Sequence, residues 1–474
     1  MKSATPARTG HNSWDEMRKP VLAGLIAFLL VRCSWWAFAL ERPDGGVLID
    51  SRGYLLLAEN LRRSGEYIAD EGTDLAWPPG YPVFINLVFA TLGERLPSIA
   101  LAQLVLSGAA SLLLYAAGEA AGNRRAGMAA AWLFAISPPA ALWSLTVMSE
   151  TLFSFFLIGA TVLWVLWLRS RRAILIVLAG SFLALGVLTR PIALLLPLLW
   201  GFLTALVLRR EGGWRRALGF AALLLLPALI AVLGWSWRNY RTHTAFTFGT
   251  VGERTMLNFN VGEIVAEVRG ISRDEAMLEI AAWEDPGKEA LRFILAHPAE
   301  AAGAQVEGIL KSVFGFDLAV WAQVMGIVGG EQGFGITQSL LHGDFQQALS
   351  VMRELLAEPR TRPLAVILLA SLLQLVLVYC AIGWLALRRI RRQAMWPPTI
   401  LLPAATAAYL LLIPLASGTA RFRVPAEPFL YLMGGLSLTG DVPLPGGSLG
   451  GGRQARRRAE RGKRPMLHRH PSVQ

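Results

Sequence analysis

Apolar runs of about 18 residues or more recur along this chain of 474 residues. Each is long enough to cross a hydrocarbon core, and no other feature constrains the fold as much. Hydrophobic residues make up 54% of the chain against 16% charged. The Leu, Ala, Val and Phe of the runs lack the period-2 alternation of a transmembrane strand. An all-α polytopic membrane protein is the expected class. The first run, 21–40, is full length and is followed by no small-residue cleavage pattern, so it reads as a retained span rather than a removed signal.

The formal net charge of +12 would suit a nucleic-acid binder, but the basic residues stand where the positive-inside rule puts them, and no nucleic-acid partner is expected. Lys2, Arg8, Arg18 and Lys19 precede the first run. Further clusters fall between later runs: Arg124 and Arg125, Arg169 with Arg171 and Arg172, Arg209 with Arg210, Arg215 and Arg216, and Arg388 with Arg389, Arg391 and Arg392. Placing every cluster in the cytoplasm predicts about ten spans, near 21–40, 98–118, 126–146, 151–168, 173–188, 191–208, 217–236, 363–387, 396–416 and 425–442, with both termini cytoplasmic.

The apolar piece 80–92, opened by Pro78 and Pro79, is too short to cross and is expected to lie along the outer surface. Residues 41–97 then form one long external loop with interfacial helices over 51–63 and 81–92. The organisation that follows is a cytoplasmic segment 1–20, a membrane catalytic module 21–236, a second external loop domain 237–362, membrane helices 363–442 and a disordered basic cytoplasmic tail 443–474 able to touch anionic lipid. Within 237–362, helical spacing marks 273–294 and 346–356.

Several motif classes are missing. The Gly-rich patch 326–335 lacks the Lys-Ser/Thr of a P-loop and reads as a loop. Cys33 and Cys380 lie inside apolar runs, without disulfide or ligand spacing, and read as packing residues. His243, His297 and His342 have no metal-ligand spacing and read as solvated or loop-packing side chains.

The polar residues at the span ends carry the functional signal. Asp50 follows the first span and Glu150 opens a later one. The parity of the spans puts both on the external face, together with the segment Trp77-Pro78-Pro79-Gly80-Tyr81-Pro82 and the run Arg421-Phe422-Arg423-Val424-Pro425. A carboxylate pair could also hold a divalent cation, but two acids with no third ligand are a weak metal site, and no metal or other cofactor is expected. A single acid or arginine at a span end is ordinarily a snorkelling or anchoring residue, and aromatic residues there ordinarily form an interfacial belt. Their joint occurrence on one face points instead to a site.

In this arrangement the chain resembles the polyprenyl-phosphate-sugar-dependent glycosyltransferases of the GT-C fold, which include the protein O-mannosyltransferases and the aminoarabinose transferase of lipid A. The resemblance covers most of 20–440. It rests on Asp50 with Tyr54, on Pro78, Pro79, Tyr81 and Pro82, on Glu150 to Phe153, on Leu188-Thr189-Arg190-Pro191, on Trp237-Arg238-Asn239-Tyr240, and on Arg421, Arg423 and Pro425. Ser51 stands where several members carry a second acid, and Glu150 where many carry Asp, which points to a bacterial member of the broad family.

The resemblance implies an inverting hexosyl- or pentosyltransferase of the bacterial inner membrane. Its donor would be a sugar on a polyprenyl phosphate, held in the bilayer by its chain. Its acceptor, an envelope lipid, glycan or protein, would be met at the external face. Asp50 would act as general base, and Glu150, the second catalytic residue, would orient the acceptor or the base or position Arg or Lys groups. Arg421, Arg423, Arg238 and Arg190 would bind the donor phosphate, and Tyr54, Trp77 and Tyr81 would line the substrate. The rival reading is a secondary transporter or a flippase of a lipid-linked sugar, which would place its acids near the bilayer midplane.

Overall fold

A computed structural model gives the fold for residues 42–69, 73–327, 335–393 and 396–439, with isolated positions between 24 and 41. The expectations for 1–20, most of 21–40, most of 326–335 and the tail 443–474 lie outside the described residues. Among the described residues every regular element is helical.

Five helices are long and apolar enough to cross a membrane: Leu96–Ala120, Glu150–Ser170, Pro191–Arg209, Gly213–His243 and Arg362–Arg391. The number rises to seven if each of two bent helix pairs is one span. Three more of the expected spans are helices of 17, 15 and 13 residues, namely Ala173–Thr189, Pro398–Leu412 and Glu427–Thr439. The count of about ten drawn from hydropathy is therefore not reached by length among the described residues.

The run 126–146, expected as one span, is a pair of helices, Arg124–Ala135 and Pro138–Leu145, bent by 55°. The break has a local cause. The Ser137 hydroxyl accepts the Ala140 N–H at 3.2 Å, and Pro138 takes the first position of the new helix, where a missing N–H costs nothing. The carbonyls released at the end of the first helix are taken by Arg32, 1% exposed, which donates to Phe134 O at 2.9 Å and Ala135 O at 3.1 Å. Two of the three nitrogens of a guanidinium buried in the first apolar run are thereby bonded to helix-end carbonyls, while Nη1 has no hydrogen-bond partner among the described residues.

The second bent pair, Pro298–Phe314 and Leu318–Met325 at 50°, falls within 237–362, where hydropathy indicated no span. The rest of that region is short helices, among them Arg273–Ala281, Pro286–Ala296 and Phe345–Ala357. The first loop carries the two expected helices, Ile49–Ser64 and Gly80–Leu92. Cys33 and Cys380 are exposed rather than packed inside, on apolar helix surfaces that tolerate a small soft side chain.

The membrane helices pack through small residues and satisfied indoles. Gly118 and Gly127 face each other so closely that a Cβ on either would overlap the other's backbone. The buried Trp164 and Trp200 donate to Thr204 and Thr406 at 2.9 and 3.0 Å. The same device docks the turn 415–418 that precedes Arg421. A Cβ on Gly308, in Pro298–Phe314, would run into Leu415 O and the Ala416 backbone. Gly308→Ala is expected to lower stability by about 1–3 kcal/mol through overpacking, visible as a lower thermal midpoint of the purified protein. A shift no larger than that of a surface Gly→Ala change would show that the turn is not held there.

Candidate active site

Both acids sit in the first turn of a helix, Asp50 in Ile49–Ser64 and Glu150 in Glu150–Ser170, where the helix dipole favours a carboxylate. The two helix starts are stitched together. Ser51 accepts the Leu48 N–H at 2.8 Å and donates its hydroxyl to Val147 O at 2.9 Å. The Val147 N–H in turn donates to Gly46 O at 2.8 Å. A Cβ on Gly46 would lie 2.5 Å from Leu145 O, so only glycine lets the strands of chain approach this closely. Ser51 thus clamps the two helix starts together.

Arg421 joins the acids. Its Nη1 donates to Asp50 Oδ2 at 2.8 Å and its Nε donates to Glu150 Oε1. Arg190, at the end of Ala173–Thr189, approaches the same Glu150 oxygen at 2.5 Å and donates to Ser149 Oγ at 3.2 Å. Two carboxylates are therefore balanced by two guanidiniums. Glu150 is fully buried, and its second oxygen, Oε2, has no hydrogen-bond partner. The open edge of the cluster is Asp50 and Arg421, whose side chains keep 25% and 22% of their exposure. Burial alone would lower the pKa of Arg421, but Glu150 and then Asp50 outweigh it and hold the guanidinium above its ordinary value, so it stays charged.

The other sequence-picked residues fall into separate places. Arg423 is completely buried and its donors are committed to Glu427 Oε1 at 3.3 Å and to the carbonyls of Val313 and Gly315 at 3.0 Å each. Glu427 Oε2 also accepts from Ser137 and Tyr431, both at 2.9 Å. Arg423 is thus a buttress under the Arg421 turn rather than a second open cation. Arg238 lies in another cluster, donating to Tyr67 O and, at 3.4 Å, to the buried Asp74, which His243 Nε2 also meets at 2.6 Å. The structure does not bring Arg238 to either acid of the site.

Tyr54 and Tyr81 are buried, 3% and 0% exposed, with ring centroids 4.9 Å apart. Tyr54 also packs 4.8 Å from Trp77, which alone of the three keeps partial exposure. Burial pushes the Tyr54 phenol up to about 12, against the pull of Arg190 and Arg421, so it remains protonated. The Tyr81 hydroxyl donates to Gln103 Oε1 at 2.9 Å, and Gln103 Nε2 donates to Thr146 O at 2.7 Å. These aromatic and amide groups fix the segment leading to Glu150 from behind. Ser149, Gln103, Trp143 and Asp317 were not singled out by sequence. Ser149, beside the acid in the chain, had a signal that could have found it.

Among the described residues no group of three or more His, Cys, Asp or Glu side chains gathers where a metal ion could be held. What the cluster offers is one permanently charged, partly exposed guanidinium next to one partly exposed carboxylate, anchored by a buried Glu–Arg pair. That combination can hold an anion and accept a proton side by side.

Residues 76–237 match the family described as dolichyl-phosphate-mannose-protein mannosyltransferase. Over this segment the chain resembles the lipid-phosphate-sugar glycosyltransferases. The mannosyltransferase-like segment includes Trp77, Tyr81, Glu150 and Arg190 and ends before Arg238; Asp50 and Arg421 lie outside it. No curated protein matches the sequence significantly. Among solved structures, the chain is similar to the archaeal oligosaccharyltransferase AglB of Archaeoglobus fulgidus, in complex with an inhibitory peptide and a dolichol-phosphate, at 14% identity and a TM-score of 0.49 over 97% of this chain and 53% of that one. It is also similar to ArnT from Cupriavidus metallidurans bound to undecaprenyl phosphate, at 14% identity and a TM-score of 0.39 over 90% of this chain and 78% of that one. The chain thus spans about half the length of the archaeal enzyme.

Proposed function

We propose that this protein is an inverting glycosyltransferase that moves a sugar from a polyprenyl-phosphate carrier to an envelope lipid, glycan or protein at the external face of a bacterial inner membrane. The observation that carries the reading is the single Arg421 guanidinium shared between Asp50 and Glu150. The match of 76–237 to a family of lipid-phosphate-sugar transferases supports the donor class.

The steps follow from the charges. Glu150, neutralised by Arg190, holds the Nε edge of Arg421 and leaves its outer edge to the donor phosphate. The carboxylate of Asp50 takes the proton from the acceptor hydroxyl as that oxygen attacks the anomeric carbon. The bond from that carbon to the phosphate oxygen breaks on the opposite face, so the configuration inverts and a polyprenyl monophosphate leaves. The Arg421 guanidinium would stabilise the charge growing on the leaving phosphate. The polyprenyl chain keeps donor and product in the bilayer, at roughly 0.8 kcal/mol per buried CH2.

Lysine keeps the charge of Arg421 but cannot bridge two acids and a phosphate with a planar fork. Arg421→Lys is expected to weaken binding of undecaprenyl phosphate to the protein in nanodiscs by about tenfold or more, whereas Arg238→Lys leaves it within about twofold. Titration of the labelled lipid measures both. Equal loss in the two variants would move the phosphate site away from Arg421.

A further inference from the structure

The Arg421 guanidinium lies over the ring of Trp143, its Cζ 5.4 Å from the centroid. Trp143 is 2% exposed, and its Nε1 donates to Asp317 Oδ2 at 3.1 Å. Asp317 stands at the N-cap of Leu318–Met325, where an aspartate ordinarily accepts from the N–H groups of its own helix. Its side chain makes no capping bond. It is spent on the indole instead.

The backbone around Asp317 reaches both halves of the site. Gln323 Nε2 donates to Val47 O at 3.0 Å, just ahead of Asp50. The carbonyls of Val313 and Gly315 receive Arg423, two positions after Arg421. The segment 312–325 therefore touches the approach to Asp50, the ring under Arg421 and the turn that carries Arg421. A cation is attracted to the face of an indole and not to its edge, so the tilt of the ring sets where the guanidinium rests. The hydrogen bond to Asp317 fixes that tilt.

We propose that Asp317 is a positioning residue that, through the Trp143 indole, sets the plane of the Arg421 guanidinium. The consequence for the carrier phosphate rests on the function proposed above. The contact itself does not. The test therefore has two arms, both on the full-length protein. In the first, thermal unfolding without ligand is measured for Asp317→Ala, Arg421→Met and the double variant. The double variant should lose clearly less than the sum of the two single shifts, because removing either side chain already ends the coupling. Additive shifts would overturn the proposal.

In the second arm, undecaprenyl phosphate is titrated against Asp317→Ala, Trp143→Phe, their double variant and Asp317→Asn. The first two should weaken binding about three- to tenfold, the double no more than either alone, and Asp317→Asn should bind as the wild type does, since its amide oxygen still accepts the indole N–H. Should Asp317→Ala fail to fold, Trp143→Phe removes the same hydrogen bond and is combined with Arg421→Met in the first arm. Wild-type affinity in Trp143→Phe, or multiplied losses in the double variant, would contradict the role. A wild-type protein that binds no undecaprenyl phosphate would sink the proposed function and leave the thermal arm to decide on Asp317.

Discussion

Asp50→Asn is expected to lower turnover by about 100- to 10,000-fold, the usual worth of a positioned general base. The substitution is close to isosteric, and the amide oxygen can still accept from Arg421 Nη1, which Asp50 now meets at 2.8 Å. Binding of the carrier phosphate should therefore survive. It should even improve slightly, because the phosphate would no longer compete with a charged Asp50 for the guanidinium. The separation is the informative part: kcat falls while the affinity for undecaprenyl phosphate does not. If affinity and turnover fell together, Asp50 would be holding Arg421 in place rather than accepting a proton.

The second large effect is expected at Glu150. This carboxylate is fully buried and carries both Arg421 and Arg190 on one oxygen. Glu150→Ala leaves two guanidiniums without their common counter-ion, and breaking a buried pair from one side costs about 3–5 kcal/mol. A drop of that size should appear in thermal or denaturant unfolding, together with loss of turnover. Glu150→Gln keeps the one oxygen that both arginines share but loses its charge, and should fall between wild type and Glu150→Ala. Wild-type stability in Glu150→Ala would show that solvent, rather than this acid, balances the two arginines.

The acids were legible in the sequence because a membrane makes a carboxylate at the end of an apolar run conspicuous. Asp50, Glu150 and Arg421 came from that rule and from charge parity, and the structure brings the three together. The rule could not separate Arg421 from Arg423. Two arginines two positions apart on a four-residue helix point to different sides, and only the packing shows that Arg423 is consumed by Glu427 and the carbonyls of Val313 and Gly315. Tyr54 and Tyr81 read as interfacial aromatics by type, yet the close packing of Ile49–Ser64 against Gly80–Leu92 buries them.

The helix pattern was legible to a similar depth. Continuous hydropathy predicted one span over 126–146 and gave no sign of a bend, whereas Ser137 and Pro138 bend it by 55° and so aim Trp143 at Arg421. The Pro138-Pro139 pair was a visible break signal that a sliding apolar window runs across. The partner of Trp143 was out of reach, since Asp317 is 174 positions away and resembles an ordinary helix cap.

The most direct test of the Asp50–Arg421–Glu150 site is the release of free polyprenyl phosphate by the reconstituted protein. The assay supplies a panel of polyprenyl-phosphate sugars with envelope extract as acceptor and is run beside Asp50→Asn. Release from one donor, lost in the variant while both proteins remain folded, is the predicted result. No release from any donor, or equal release by both proteins, would contradict it; the first of these would turn attention to transport of a lipid-linked sugar.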